Sequence, residues 1–270
     1  MDFIKRLQGA WQKQDSLVCV GLDTDFSKIP DRFKKEPHPL FAFNREIINA
    51  TGDLVCAYKP QIAYYSATGS EKDLELTIRY IHKTLPDIPV ILDAKRGDIG
   101  ATAKKYAAEA FDRYEADAVT VNPYLGGDTL EPFLERKDKG VILLCRTSNP
   151  GAGDLQDLES GGKKIYRIMA EKAARQWNQY GNLLLVIGAT WPGELGEIRS
   201  LAGDMPFLVP GIGAQGGDVA QAVKNGKTRD GTGLIINSSR GILYAGKGKD
   251  FAEAARLAAV ALRDEINQYR

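Results

Sequence analysis

Eight short apolar runs, at 17–22, 55–59, 90–95, 118–122, 141–146, 183–187, 207–210 and 234–237, recur along the chain with longer polar-patterned stretches between them. Runs of this length suit buried strands, whereas the intervening stretches carry the 3.6-residue spacing of surface helices. Helix candidates lie at 101–114, 163–180, 219–225 and 251–269, rich in Ala, Lys, Glu and Arg. Such alternation marks repeated βα units, and eight of them in one compact chain favour closure into a barrel over an open sheet. The expected fold is α/β, a single (β/α)8 TIM-type barrel forming one catalytic domain over residues 1–270. With 43% apolar residues the chain can bury one core of that size.

Charge excludes several function classes. Thirty-six Lys and Arg nearly balance 35 Asp and Glu, so no global field favours nucleic acid or an anionic membrane, and charge chemistry must be local. The N-terminal run Asp2-Phe3-Ile4-Lys5-Arg6-Leu7 breaks its apolar stretch with charge at once, unlike a secretory signal, and no later segment has the length of a membrane span. A cytoplasmic protein is expected. Cys19, Cys56 and Cys145 sit far apart in apolar runs and read as core residues. With only His38 and His82 besides, neither a metal cage nor a Ser-His-Asp triad has material to draw on. Acid–base work therefore falls to Lys, Asp and Glu.

Many apolar runs end in polar residues: Asp23, Lys59, Asp93 with Lys95, Asn122, Arg146 with Thr147 and Ser148, and Ser238 with Ser239 and Arg240. In a barrel those carboxyl ends form the active-site rim, although any one of them could instead cap the following helix. After the seventh run comes Pro210-Gly211-Ile212-Gly213-Ala214-Gln215-Gly216-Gly217-Asp218, and after the eighth Ser238-Ser239-Arg240-Gly241. Barrels commonly bind phosphate at these two loops, where glycines let backbone N–H groups converge on an anion; Gly213, Gln215, Ser239 and Arg240 are the candidates. Gly211, Gly213 and Gly216 also match a dinucleotide fingerprint, but they come after six βα units, and the next strand lacks the acidic end that would hold a ribose. The segment 147–163 is long enough to be a mobile loop over the site.

The most chemical segment is Asp93-Ala94-Lys95-Arg96-Gly97-Asp98. Residues two apart on a strand share a face, so Asp93 and Lys95 should point together into the barrel mouth, with Asp98 on the turn beyond and Lys59 reaching in from the second strand. The alternatives are a structural ion-pair network for the first two and a helix cap for Asp98. A lysine held between carboxylates is a ready proton donor and a poor Schiff-base amine. That points to protonation of a carbanion, with Asp93 repelling a departing carboxylate more than the transition state that loses it.

These residues resemble the orotidine 5'-monophosphate decarboxylase family, and specifically its longer bacterial branch. The D-x-K-x-x-D signature is matched by Asp93, Lys95 and Asp98, joined in order by Gly21-Leu22-Asp23, Lys59-Pro60-Gln61, Ser148-Asn149-Pro150-Gly151, Pro210 to Gln215, and Ser239-Arg240. The resemblance covers essentially the whole chain. It implies a cofactor-free and metal-free decarboxylation of orotidine 5'-monophosphate to uridine 5'-monophosphate, with Lys95 as proton donor and Asp93 against the leaving carboxylate. It further implies that Lys59 and Asp23 bind ribose hydroxyls, Ser148 the pyrimidine edge, and Gln215 and Arg240 the phosphate, beside Pro210. Asp98, Ile99 and Thr102 would act in a neighbouring subunit's site, which makes a homodimer with shared sites the expected partner state. Many family members have Gly where this chain has Ser239.

Two rivals follow from the same residues. A magnesium-dependent sugar-phosphate decarboxylase or aldolase-like barrel uses a similar signature but needs a further carboxylate near the second strand, and Lys59-Pro60-Gln61-Ile62-Ala63-Tyr64-Tyr65 supplies none. A silent nucleotide-binding barrel would not need an intact Lys95 and Asp93.

Overall fold

The computed structural model describes residues 2–212 and 216–270. Eight parallel strands run through it: β1 Val18–Leu22, β2 Ala57–Pro60, β3 Ile91–Arg96, β4 Ala118–Val121, β5 Gly140–Arg146, β6 Leu183–Ile187, β7 Phe207–Val209 and β8 Leu234–Ser238. Their hydrogen-bonded order is β2-β1-β8-β7-β6-β5-β4-β3. The two ends of that series meet through isolated parallel bridges, Tyr58 with Val90 and Gln61 with Asp93, so the sheet closes into a barrel. The strands lie within one or two residues of the apolar runs. β1, β2, β4 and β6 are buried at every position, as parallel strands covered on both faces must be.

Helices follow the strands, and two of the expected ones differ in detail. The helix expected at 101–114 begins at Gly100 and widens into a π-helical turn over Glu109–Arg113. The one expected at 163–180 starts only at Ile165, because Lys163–Lys164 pairs antiparallel with Glu159–Ser160. The connecting Gly161 and Gly162 both take positive φ (59° and 73°), the geometry a two-residue hairpin turn requires and that glycine adopts freely. The segment 147–163 thus carries structure of its own: a 3-10 turn at Pro150–Ala152, a helical turn at Gly153–Gln156 and this hairpin.

An N-terminal helix, Phe3–Gln14, capped by the Asp2 carboxylate on the Lys5 amide, lies at the end of the barrel where the strands begin, its Phe3 amide donating to the Asp138 carbonyl and its Phe3 ring against Gly140 at the start of β5. There Arg6 and His82 meet the buried carboxylate of Asp117 at 2.7 and 2.9 Å, and Asp117 also accepts the Val90 amide. His38 pairs likewise with Asp73 at 2.8 Å, so both histidines serve the fold. All three cysteines are buried and free. Among the described residues no helix is long and apolar enough to cross a membrane. A cavity opens at the other end, where the polar strand termini gather.

Candidate active site

A cavity of about 1130 Å³ opens at the carboxyl ends of the strands. Of the residues singled out in the sequence, Asp23, Lys59, Asp93, Lys95, Ser148, Pro210, Ser239 and Arg240 line it. Gly213 and Gln215 lie outside the described residues. Leu144, Val186 and Leu208 form an apolar part of the wall.

Across its floor runs an alternating row of charges. Lys59, only 3% exposed, places Nζ 3.0 Å from Asp93 Oδ2 and 3.7 Å from Asp23 Oδ1. Asp93 turns its other oxygen to Lys95 Nζ at 2.6 Å. Burial by itself pushes the Lys59 ammonium down, but the facing carboxylates of Asp93 and Asp23 outweigh it and hold the group well above the ordinary lysine range. Burial likewise works to raise Asp93, yet Lys59 and Lys95 hold its carboxyl well below the ordinary carboxylate range. Two lysines and two aspartates alternate, so the buried Lys59 and Asp93 each face partners of opposite sign. Lys95 differs from Lys59 in access: its side chain is 46% exposed, at the mouth, whereas the Lys59 ammonium is locked between two anions.

Strand alternation does not by itself join Lys95 to Asp93. The register of β3 against β4 slips, with Leu92 opposite Val119 but Arg96 opposite Val121, so residues 93–95 together face Thr120. Lys95 takes a left-handed backbone (φ 46°), a conformation that costs a residue with a Cβ roughly 1–2 kcal/mol. The bulge folds its ammonium back onto Asp93. Sequence reasoning also held Lys95 between Asp93 and Asp98. Within one chain the lysine between two carboxylates is Lys59, while among the described residues the Asp98 carboxylate accepts a hydrogen bond only from its neighbouring Ile99 amide, at 2.8 Å. Neither Asp98, Ile99 nor Thr102 lines the cavity of its own chain, and Ile99 is 61% exposed.

Two strand-end residues leave the rim altogether. Asn122 accepts the Tyr124 amide and caps its turn. Arg146 is fully buried behind the β5 loop, stacked on Trp191 at 4.1 Å and paired with Asp157 at 3.2 Å, while Trp191 Nε1 donates to the Thr147 carbonyl. It therefore anchors the loop that carries Ser148 and does not face the cavity. Ser239 turns its hydroxyl over Gly21, where a Cβ would collide with it, and accepts from Asn237 Nδ2 at 3.3 Å. The hydroxyl thus fills space left by a glycine on β1. Thr147, a strand-end residue named in the sequence, also lines the cavity, and residues the sequence did not single out for the site are Thr120, Asn237 and Gln156. A signal for Thr120 did exist: it is a polar residue inside the apolar run Ala118-Val119-Thr120-Val121.

Around the far end of the cavity stand Gly211, Gly217, Asp218, Ser238, Arg240 and Gly241, from the loops after β7 and β8. Gly211 and Gly216 have positive φ, and Ile212 bridges to Gly217 across the loop. Arg240 is exposed at the start of a short helix, Arg240–Leu243. Among the described residues no carboxylate pairs with it.

Fold and site together define an eight-stranded α/β-barrel protein with a buried lysine–aspartate row at the carboxyl ends of its strands and glycine-rich loops beside it. The chain belongs to the orotidine 5'-phosphate decarboxylase / HUMPS family, whose model matches residues 16–256. It is 61% identical to the orotidine 5'-phosphate decarboxylase of Cellvibrio japonicus and 58% identical to that of Azoarcus sp., in each case over the whole of both chains. Among solved structures, the OMP decarboxylase of Leishmania donovani superposes with a TM-score of 0.86 at 38% identity, covering 100% of this chain and 98% of that one.

Proposed function

We propose that this chain decarboxylates orotidine 5'-monophosphate to uridine 5'-monophosphate, the activity its relatives are named for. The observation that carries the reading is the Asp23–Lys59–Asp93–Lys95 row, held charged at the barrel mouth. Asp93, fixed by Lys59, stands beside the substrate carboxylate and destabilises it until the carbon–carbon bond breaks and CO2 leaves with the electron pair remaining on the ring carbon. Lys95 stabilises that carbanion electrostatically and gives it a proton, then regains one from solvent. Asp23 and Lys59 bind ribose hydroxyls, Ser148 the base edge beside Pro210, and Gly213, Gln215, Ser239 and Arg240 the phosphate.

The working unit in this reading is a homodimer. Tyr64, Ile99, Tyr124 and Leu125 are exposed at the carboxyl ends of the consecutive strands β2, β3 and β4, an apolar rim suited to a second copy. Covering it would bring Asp98, Ile99 and Thr102 to the neighbouring cavity.

The test is release of CO2 from orotidine 5'-monophosphate, run before and after exhaustive chelation. Turnover is expected in both, since among the described residues no three His, Cys, Asp or Glu side chains gather as a metal site and Lys95 supplies positive charge directly. Activity lost to chelation and restored by magnesium would favour the sugar-phosphate rival. For the phosphate end, Arg240→Ala is expected to weaken uridine 5'-monophosphate by roughly 10- to 100-fold and the phosphate-free nucleoside by less than about 3-fold. Calorimetric titration of both ligands checks this, and equal losses would place Arg240 elsewhere.

A further inference from the structure

Thr120 sits opposite the bulge that gives β3 its catalytic geometry, and its hydroxyl is saturated by it. Oγ1 donates to Asp93 Oδ1 at 2.8 Å and accepts the Ala94 and Lys95 amides at 3.0 and 2.9 Å. A hydroxyl has one proton and two lone pairs, so every bond it can form goes to the three residues 93–95. In a regular parallel ladder successive amides point to opposite sides and find carbonyls on neighbouring strands. Here two successive amides converge on one side-chain oxygen, because Lys95 has turned into the left-handed region and the ladder is interrupted between Leu92 and Arg96. The hydroxyl stands in for the missing ladder partner. It also fixes the rotamer of Asp93 through the same oxygen that receives Lys95 Nζ.

We infer that Thr120 is the positioning residue of the decarboxylation site: its hydroxyl holds the β3 bulge in the one conformation that returns Lys95 onto Asp93. Thr120 hands no proton to the substrate, since its only one is committed to Asp93. Its contribution lies in the placement of two charged groups whose misplacement by even 1 Å would slow the chemistry. The inference rests on the decarboxylase reading for its kinetic consequence and on geometry alone for its structural one.

Two measurements separate these. In the first, Thr120→Val, which keeps shape and removes the hydroxyl, is expected to lower kcat roughly 10- to 100-fold with KM changed less than about 3-fold, while Thr120→Ser stays within about 3-fold of wild type in both. In the second, hydrogen exchange of the Ala94 and Lys95 amides is expected to be slow in the wild type and in Thr120→Ser and fast in Thr120→Val. A valine variant with wild-type kcat, or a serine variant as slow as the valine one, would overturn the positioning role. So would unchanged protection of the two amides. If the valine chain does not fold, Thr120→Ala, which leaves room for water, takes its place: slowed turnover and fast exchange support the role, and wild-type values of either overturn it. If the wild type itself does not turn over orotidine 5'-monophosphate, the functional reading has failed, and amide exchange still decides whether Thr120 holds the bulge.

Discussion

Lys95→Ala is expected to reduce kcat by about 10³-fold or more and to leave a folded barrel, because in the proposed reaction the change removes both the proton donor and the cation facing the developing carbanion. The structure separates these consequences. Lys95 projects from the strand end into the mouth with its side chain 46% exposed, so truncation opens no cavity in the core. Asp93 loses one of two cations but keeps Lys59 at 3.0 Å and the Thr120 hydroxyl at 2.8 Å, so no buried charge is stranded. Lys59 cannot replace the lost donor: it is buried between Asp93 and Asp23, whose carboxylates hold its proton tightly. Steady-state turnover, with melting temperature as the control for folding, checks the prediction. A Lys95→Ala enzyme with near-normal kcat would refute the proton-donor role.

The second large effect is a recovery of activity. Lys95→Ala and Asp98→Ala chains, each nearly inactive alone, are unfolded together in equal amounts and reassembled. If each site takes Lys95 from one chain and Asp98 from the other, a mixed dimer contains one doubly defective site and one intact site. Random pairing makes half the dimers mixed, so roughly a quarter of wild-type activity should return by this symmetry. The motive is that Asp98, Ile99 and Thr102 lie off the cavity of their own chain while Ile99 and the neighbouring Tyr124 are 61% and 74% exposed. Mixed dimers shown to form, for instance by native mass spectrometry, but with activity at the single-mutant floor would remove the shared site and leave the barrel untouched.

How far the sequence reaches can be judged from particular residues. The strands were legible because parallel strands covered on both faces become short uninterrupted apolar runs, and their polar ends marked the rim. What pattern reading handled less well was geometry that departs from the regular period. Two-residue alternation placed Lys95 beside Asp93 for an incomplete reason, since the contact depends on a bulge and a left-handed residue that leave no mark in a hydropathy pattern. Lys59, which the sequence brings to the array from the second strand, is the cation between two carboxylates, a relation set by the β1–β2 and β2–β3 neighbourhoods and hidden along the chain. Arg146 shows the opposite limit. A strand-end arginine reads as a rim residue, and only tertiary packing on Trp191 and Asp157 turns it behind the loop. At 163–164 a helical pattern gave way to a glycine-glycine hairpin whose turn chemistry was present in the sequence but outweighed by the longer period.

Closure of the barrel between β2 and β3 rests on two isolated bridges, and the Lys59–Asp93 pair spans that same seam. The Lys59–Asp93 charges therefore also act as a fastener. Local opening of the cylinder along this joint would pull the charged row apart, so loss of chemistry should precede loss of fold on gentle heating. A ligand that grips Lys59 on one side and Asp93 on the other would suture the joint. Occupancy of the site and integrity of the cylinder are then two readings of one equilibrium.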